Sequence, residues 1–326
     1  MKLLCLGELL VDMVPATHGA GLAEADTFVR AAGGAPANVA VAASRLGAVA
    51  GVAAAVGNDP FGAWLASVLR AASVDTRFLR RVDRQTAVAF VGLGSAGERD
   101  FMFYGDDPAH DHLTPQHAWE AASALAATGG TRVLHFGSVC LAREPARSAT
   151  AAAIEVATDG GCLISCDVNL RESFWPDLST ARAVIWEFLA RAHIVKLSAE
   201  EAAFLAGPEF GPGDRVPAAL LAGGADLVVV SRGAGGAEAH TPGFVVSAPS
   251  PRVAAIDTTG AGDALSGAIL AASLRDPAVW TEQQGATRAL ARACAYAALS
   301  TTKRGAIPSY ASAEELASFL GGAHGL

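Results

Sequence analysis

Short apolar runs alternate with stretches whose apolar positions recur every three or four residues, and the alternation continues along most of the chain. The runs KLLCLG, VAAAVG, RVLHFG, CLISCDV, HIVKLS and DLVVVSRG carry little polar alternation, which predicts strands covered on both faces. Between them, helical spacing predicts helices over 35–46, 61–72, 115–127, 144–157, 179–191 and 261–273. Strand, helix and strand repeated this often imply an α/β fold, with a doubly wound, mainly parallel sheet and helices on both faces.

Two segments break this rhythm. TAVAFVGLGSAGERDFMFYG, from Thr86, reads as a hairpin turning at GSAGE, and ADTFVRAAGG reads as a further β piece. Together they predict a small sheet with strands around 10–32 and 86–105, inserted as a lid in a single domain spanning 1–326. The opening MKLLCLGELLVDMVP reads as one buried first strand with Asp12 at its end, because Glu8 and Asp12 interrupt it too early for a secretory signal. No linker, low-complexity tract or internal repeat is visible.

Composition narrows the function classes. Hydrophobic residues are 52% and charged residues 17% of the 326, which fits a packed core and excludes a disordered chain. A net charge of −8 without a basic run argues against a nucleic-acid surface. No apolar stretch reaches the ~18 residues of a membrane span. The cysteines Cys5, Cys140, Cys162, Cys166 and Cys294 are scattered with no second pair or histidine cluster, so buried free thiols in a reducing cytoplasm are expected.

The chemistry concentrates in IDTTGAGDALSGAIL. Here a strand end passes through Gly260-Ala261-Gly262 into a helix. Glycines at a helix start leave backbone N–H groups uncovered at the positive end of the dipole, which makes an anion site. Asp263 falls in the first turn, where it either accepts a proton from an alcohol or only complements the dipole. The loop is not a Walker A sequence, since no Gly-Lys-Ser/Thr follows, and it is not Gly-x-Gly-x-x-Gly.

DTTGAGDALSGAIL resembles the C-terminal signature of the PfkB/ribokinase family of carbohydrate kinases, and GGAPANVAVAASRLG (33–47) resembles its N-terminal signature. GELLVDMVP, DVNLRESFW, KLSAEEAAFL, VVVSRGAGGA and TTKRGAIPS extend the likeness from Lys2 to Ser309. The resemblance implies transfer of the ATP γ-phosphate to a sugar hydroxyl. Asp263 is then the base, and the amides of Gly260, Ala261 and Gly262 receive the phosphate. It also implies sugar contacts from Asp12, Gly33, Gly34 and Asn38, and makes Asn169 and Arg171 the family's Asn-x-Arg, with Arg171 reaching phosphate or an acidic substrate.

Nucleotide contacts are implied for Lys196, Ser198, Ser231, Gly233, Gly236 and Cys294. Cys294 stands where relatives often carry asparagine. Glu201 is expected to organise magnesium through water. A monovalent cation, potassium, is expected between Asp257 and Thr259 and the loop of Ser300, Lys303, Gly305 and Ser309. Within the family, GELLVDMVP, the lid hairpin and KLSAEEAAFL most resemble fructokinases, with Phe101, Phe103 or Tyr104 over the sugar. Gly105 departs from their pattern, which has arginine there. Kinases of 2-keto-3-deoxygluconate, ribose or a nucleoside, or a non-catalytic relative, are the alternatives. His110 and His112 are expected to be exposed loop residues. The lid suggests a homodimer.

Overall fold

The computed structural model describes residues 1–17, 20–93, 99–210 and 213–322. The strands are β1 (Leu3–Leu6), β2 (Leu10–Pro15), β3 (Phe28–Gly33), β4 (Ala50–Gly57), β5 (Asp75–Val82), β6 (Val88–Leu93), β7 (Arg99–Tyr104), β8 (Val133–Gly137), β9 (Leu163–Asp167), β10 (Ile194–Ser198), β11 (Leu227–Ser231), β12 (Ala237–His240) and β13 (Val245–Ala248). The helices are α1 (Ala35–Arg45), α2 (Pro60–Ala71), α3 (Pro115–Ala126), α4 (Ala146–Asp159), α5 (Leu178–Leu189), α6 (Ala199–Phe210), α7 (Val216–Ala222), α8 (Ala261–Arg275), α9 (Gln283–Ser300) and α10 (Ala313–Gly322).

Nine strands form one sheet in the order β13-β12-β11-β10-β9-β8-β1-β4-β5. It is parallel from β11 to β5, and β12 and β13 add on as antiparallel strands. Its central strands are fully buried, as their unbroken apolar runs require. One face packs on α1, α8 and α9 through Val39, Leu265 and Leu290, and the other on α3, α4 and α5 through Leu125, Ile154 and Ile185. The doubly wound expectation is therefore met. The chain winds from β1 to β4 and β5 on one side, and through β8 to β11 on the other. The winding direction reverses between β1 and β8, and a crevice at the carboxyl ends of the strands is the ligand position of such sheets.

The opening segment differs from its sequence reading. It is two strands, not one: β1 lies in the large sheet, and β2 leaves it after the turn at Gly7–Leu9 to join a second sheet of order β3-β2-β6-β7. Asp12 is consequently inside a lid strand and not at the end of the first core strand. Both halves are mostly apolar, so hydropathy alone does not separate them. In this second sheet β2–β3 and β6–β7 are antiparallel and β2–β6 is parallel. The expected turn at residues 94–98 lies outside the described residues, as does the side chain of Phe101.

Candidate active site

α1 begins without a side-chain cap from its own flank. Glu8, just past β1, supplies the acceptor instead: its Oε1 takes the Ala35 amide at 3.0 Å. Glu8 is buried, its Oε2 meets no partner, and burial raises its carboxyl to about 7. One turn along α1, Asn38 Nδ2 donates to Asp263 Oδ2 at 2.8 Å, and Asn38 Oδ1 is buried without a partner. The two glycine-rich segments, 225 residues apart at this contact, thus meet in one place.

Asp263 stands in the first turn of α8. Gly260 caps that helix in the left-handed region at φ 74°, where a Cβ would come within 2.5 Å of both Ala306 Cβ and Tyr310 Oη. Its carbonyl accepts from Tyr310 Oη at 3.1 Å, which pins the loop. The Ala261 amide turns back to Thr258 O at 3.2 Å, whereas among the described residues the amides of Gly262 and Asp263 find no acceptor. Of the three amides expected to receive the phosphate, the one turned back into the loop is that of Ala261. Burial raises Asp263 to about 6, and nearby Asp167 adds to the shift; the Asn38 bond and the charges of Lys196 and Arg171 oppose it.

Beneath the loop runs a buried ionic chain. Lys196 Nζ bonds Asp167 Oδ1 at 3.0 Å, and Ser266 Oγ donates to Asp167 Oδ2 at 2.8 Å. A Cβ on Gly262 would lie 3.1 Å from Lys196 Nζ, so the ammonium abuts the loop itself. Burial works to discharge Lys196, but Asp167, Glu201 and Asp263 outweigh it and hold the ammonium charged, above the usual lysine range. Sequence reasoning missed Glu8, Asp167 and Ser266. The first two had a signal: each is an isolated acid at the end of a buried strand, where a charge without a function is costly.

Glu201, expected near the metal, is held by backbone amides. Its Oε2 takes the Ser198 amide at 2.7 Å while its own amide donates to Ser198 Oγ at 3.1 Å, a reciprocal capping box for α6. Its Oε1 takes the Leu170 amide at 2.8 Å. Burial raises its carboxyl. Among the described residues no group of three or more His, Cys, Asp or Glu could cage a metal ion. Magnesium fits this site only as an ion shared with substrate phosphates and keeping its waters.

The lid brings Asp12 over the same region. A Cβ on Gly33 would lie 2.2 Å from Asp12 Oδ2, so only glycine admits that carboxylate. Asp12 pairs with Ala89, and Ala89 with Phe103, across β2, β6 and β7, so the three share one face. On that face Phe103 packs edge-on against Phe174 of the main body, at 4.7 Å between ring centres. Tyr104 points the other way, stacks on Phe90 at 5.3 Å and is 57% exposed. Of these two aromatics, Phe103 is the one on the site side. Arg171 is half-buried, its Nη1 turned onto Leu170 O at 3.0 Å, and the preceding Asn169 takes a left-handed φ of 37°.

His110 is not the exposed residue expected from sequence. It is 5% exposed beside Phe174, with neither ring nitrogen hydrogen-bonded and Nε2 3.5 Å from Asp111 Oδ1, and burial lowers its pKa. His112, by contrast, pairs with Asp107 at the surface.

Behind the loop, Asp257 Oδ1 accepts from Thr259 N (2.9 Å) and Oγ1 (2.6 Å), and its Oδ2 from Gly305 N (2.8 Å). Ile256 and Asp257 amides both reach Thr301 O, which ties the two expected cation segments together. Ser300 and Ser309 donate to Ala297 O and Ala306 O and keep oxygen lone pairs. The Lys303 side chain turns outward to Glu315 at 3.7 Å, so only its carbonyl can serve a cation. One carboxylate among neutral oxygens is a hard donor set that suits a monovalent ion. Ser231 ends β11 beside Ser198 in register, with Gly233 and Gly236 in the following turn. Cys294 is buried against Ala248 O, its thiol raised to about 11 by burial. All five cysteines are free and buried, as expected.

Residues 1–313 match the model of the pfkB family carbohydrate kinases. The chain belongs to that family. A probable fructokinase-2 of Arabidopsis thaliana is 40% identical over 316 residues, 96% of this chain and 94% of that protein. A fructokinase from Xylella fastidiosa solved with bound ATP superposes with a TM-score of 0.89 at 30% identity, covering 99% of this chain and 98% of that one. A fructokinase double mutant from Vibrio cholerae O395, solved with fructose, ADP and potassium ion, superposes at 0.85 with 32% identity, covering 98% and 97%. Membership in a carbohydrate-kinase family accounts for a carboxylate and a free-amide loop sharing one crevice. No helix among the described residues is long and apolar enough to cross a membrane.

Proposed function

We propose that the protein is an ATP-dependent fructokinase that converts D-fructose to fructose 6-phosphate. The observation that carries the reading is the Asn38–Asp263 bond, which joins the two glycine-rich segments into one site holding a base and an anion loop. In this reading the carboxylates of Asp12 and Asp263, with Asn38, accept and donate hydrogen bonds to the sugar hydroxyls, and Gly33 and Gly34 let it approach the backbone. Asp263 takes the proton of the attacking hydroxyl as its oxygen bonds the γ-phosphorus. The bond to the β-phosphate oxygen breaks and ADP leaves. The amides of Gly262 and Asp263 and the Lys196 ammonium stabilise the charge of the transferring group, and Phe103 and Phe174 exclude water.

Ser198, Ser231 and the turn of Gly233 and Gly236 face the nucleotide, and Cys294 lies toward its base. Magnesium, when bound, would neutralise charge on the phosphates, with Glu201 as the residue to reach it through water. Potassium would be held by oxygens around Asp257, Thr259, Ser300, Lys303, Gly305 and Ser309, and would steady the loop. A sugar acid is disfavoured because Arg171, the candidate partner for its carboxylate, is partly spent on Leu170 O. The outer lid face exposes Met102 and Tyr104, which supports a homodimer through the lid.

The test is a coupled ATP-consumption assay with fructose, ribose, 2-keto-3-deoxygluconate and adenosine, each with and without potassium. Fructose is expected to give the highest kcat/KM, and potassium to raise it. A higher kcat/KM for another substrate overturns the sugar assignment, and no ATP consumption with any of them overturns the kinase reading.

A further inference from the structure

A second polar cavity lies at the far end of α8. Asp263 and Arg275 are 275 − 263 = 12 residues apart on that helix, about 18 Å at 1.5 Å per residue, so this cavity is separate from the glycine loop. It encloses about 390 Å³ between α8, the 277–280 turn and α9. Its floor is apolar, formed by Leu46 with alanines of α8 and α9, and Arg275, Arg288 and Arg292 line it.

The arginines are the unexplained part. Among the described residues no carboxylate lies within ion-pair distance of any of the three. Arg275 has a structural explanation: it sits in the last turn of α8, and its Nη2 donates to Leu46 O at the end of α1 (3.3 Å), where a cation offsets two helix dipoles. Arg288 and Arg292 have none. They stand one turn apart on α9, a spacing at which like charges repel, and Arg292 is half-buried. Two carboxylates sit at the mouth: Asp276 Oδ1 takes the Ala278 amide at 3.0 Å, and Glu282 flanks the start of α9 without a side-chain hydrogen bond to it. A chain of net charge −8 thus keeps three guanidinium groups over an alanine floor beside two carboxylates, with no ion pair among them in the described residues.

We propose that this cavity binds a small phosphate monoester, with Arg288 and Arg292 holding the phosphate and the organic part lying on the alanines. Planar guanidinium forks match phosphate oxygens, and the volume suits a ligand of that size.

The test is titration calorimetry of phenyl phosphate into the wild type, Arg288→Gln and Arg292→Gln. Any binding at the glycine loop is common to all three proteins, so the difference isolates the cavity. Each substitution is expected to weaken phenyl phosphate about ten-fold, the scale of one charge-assisted hydrogen bond, and about 0.5 M salt to weaken the wild type similarly. Arg288 is exposed, so its variant keeps the fold. Equal affinity in the three proteins, or no binding to the wild type, overturns the proposal.

Discussion

Replacing Asp263 by asparagine separates two consequences of one buried carboxylate. Burial raises its pKa from 3.8 to about 6, and the gap at 1.36 kcal/mol per pH unit corresponds to about 3 kcal/mol spent on keeping it charged in the fold. A raised carboxyl helps stability only while protonated. The contribution is full below about 3.8, falls as pH rises through about 6 and is absent above. Asparagine is neutral at every pH, and its side-chain oxygen can still accept from Asn38. Asp263→Asn is therefore expected to be more stable than the wild type by up to about 3 kcal/mol at pH 8, with the advantage shrinking toward pH 4. For 326 residues the usual unfolding entropy converts this to about 4 °C in Tm. Turnover should fall by about 10²–10⁴-fold, the range for losing a general base. Thermal unfolding at pH 4.5, 6 and 8 beside steady-state kinetics reads both. A Tm difference that does not grow with pH would refute the buried-charge argument, and unchanged kcat would refute the base.

Asn38→Ala removes the donor that holds the Asp263 carboxylate ionised, so the acid limb of the kcat/KM profile should move above about 6; a limb that stays put counts against their coupling. Lys196→Met leaves Asp167 as an uncompensated buried charge and should cost about 3–5 kcal/mol in urea unfolding, most of it recovered in the double variant with Asp167→Asn while activity stays low. Phe103→Ala should raise sugar-independent ATP hydrolysis and the sugar KM, and Tyr104→Ala should leave both near wild type, as product-coupled and phosphate-release assays on the two variants can check.

In the large sheet, the strands legible in the sequence were parallel ones with a neighbour on both sides. β1, β4, β8, β9, β10 and β11 read directly as apolar runs because both their faces are covered. β5 escaped detection for the converse reason: DTRFLRRV is an edge strand, half-exposed along its length, and three arginines hide its pattern. β13 at the opposite edge alternates buried and exposed over four residues, too few for periodicity to register. In the site, residues embedded in a motif were found and residues defined by depth were not. Asp263 and Asn38 announced themselves through flanking glycines. Asp167 has only its place at a strand end, and no local pattern shows that Lys196 and Ser266, 99 residues beyond it, close around it.

The same distinction explains how the site stays ordered while carrying so much buried charge. Glu8, Asp167, Glu201 and Asp263 sit at strand ends or helix starts, where each carboxylate can accept from a backbone amide, a side-chain donor or the buried Lys196 of β10, and no long side chain has to be frozen in solvent to reach it. Backbone amides cost no further entropy once the helix has formed, so the carboxyl ends of the central strands hold these charges more cheaply than a loop could. Two acceptors stay unsatisfied in this arrangement, Glu8 Oε2 and Asn38 Oδ1, both buried and both flanking the Gly33–Gly34 turn. An unsatisfied buried acceptor costs about 1–3 kcal/mol. Sugar hydroxyls are donors, so binding of the substrate can relieve that cost where an apolar ligand of equal size cannot. Specificity for a polyhydroxylated ligand follows from what the empty fold leaves unpaired as much as from the contacts it already makes.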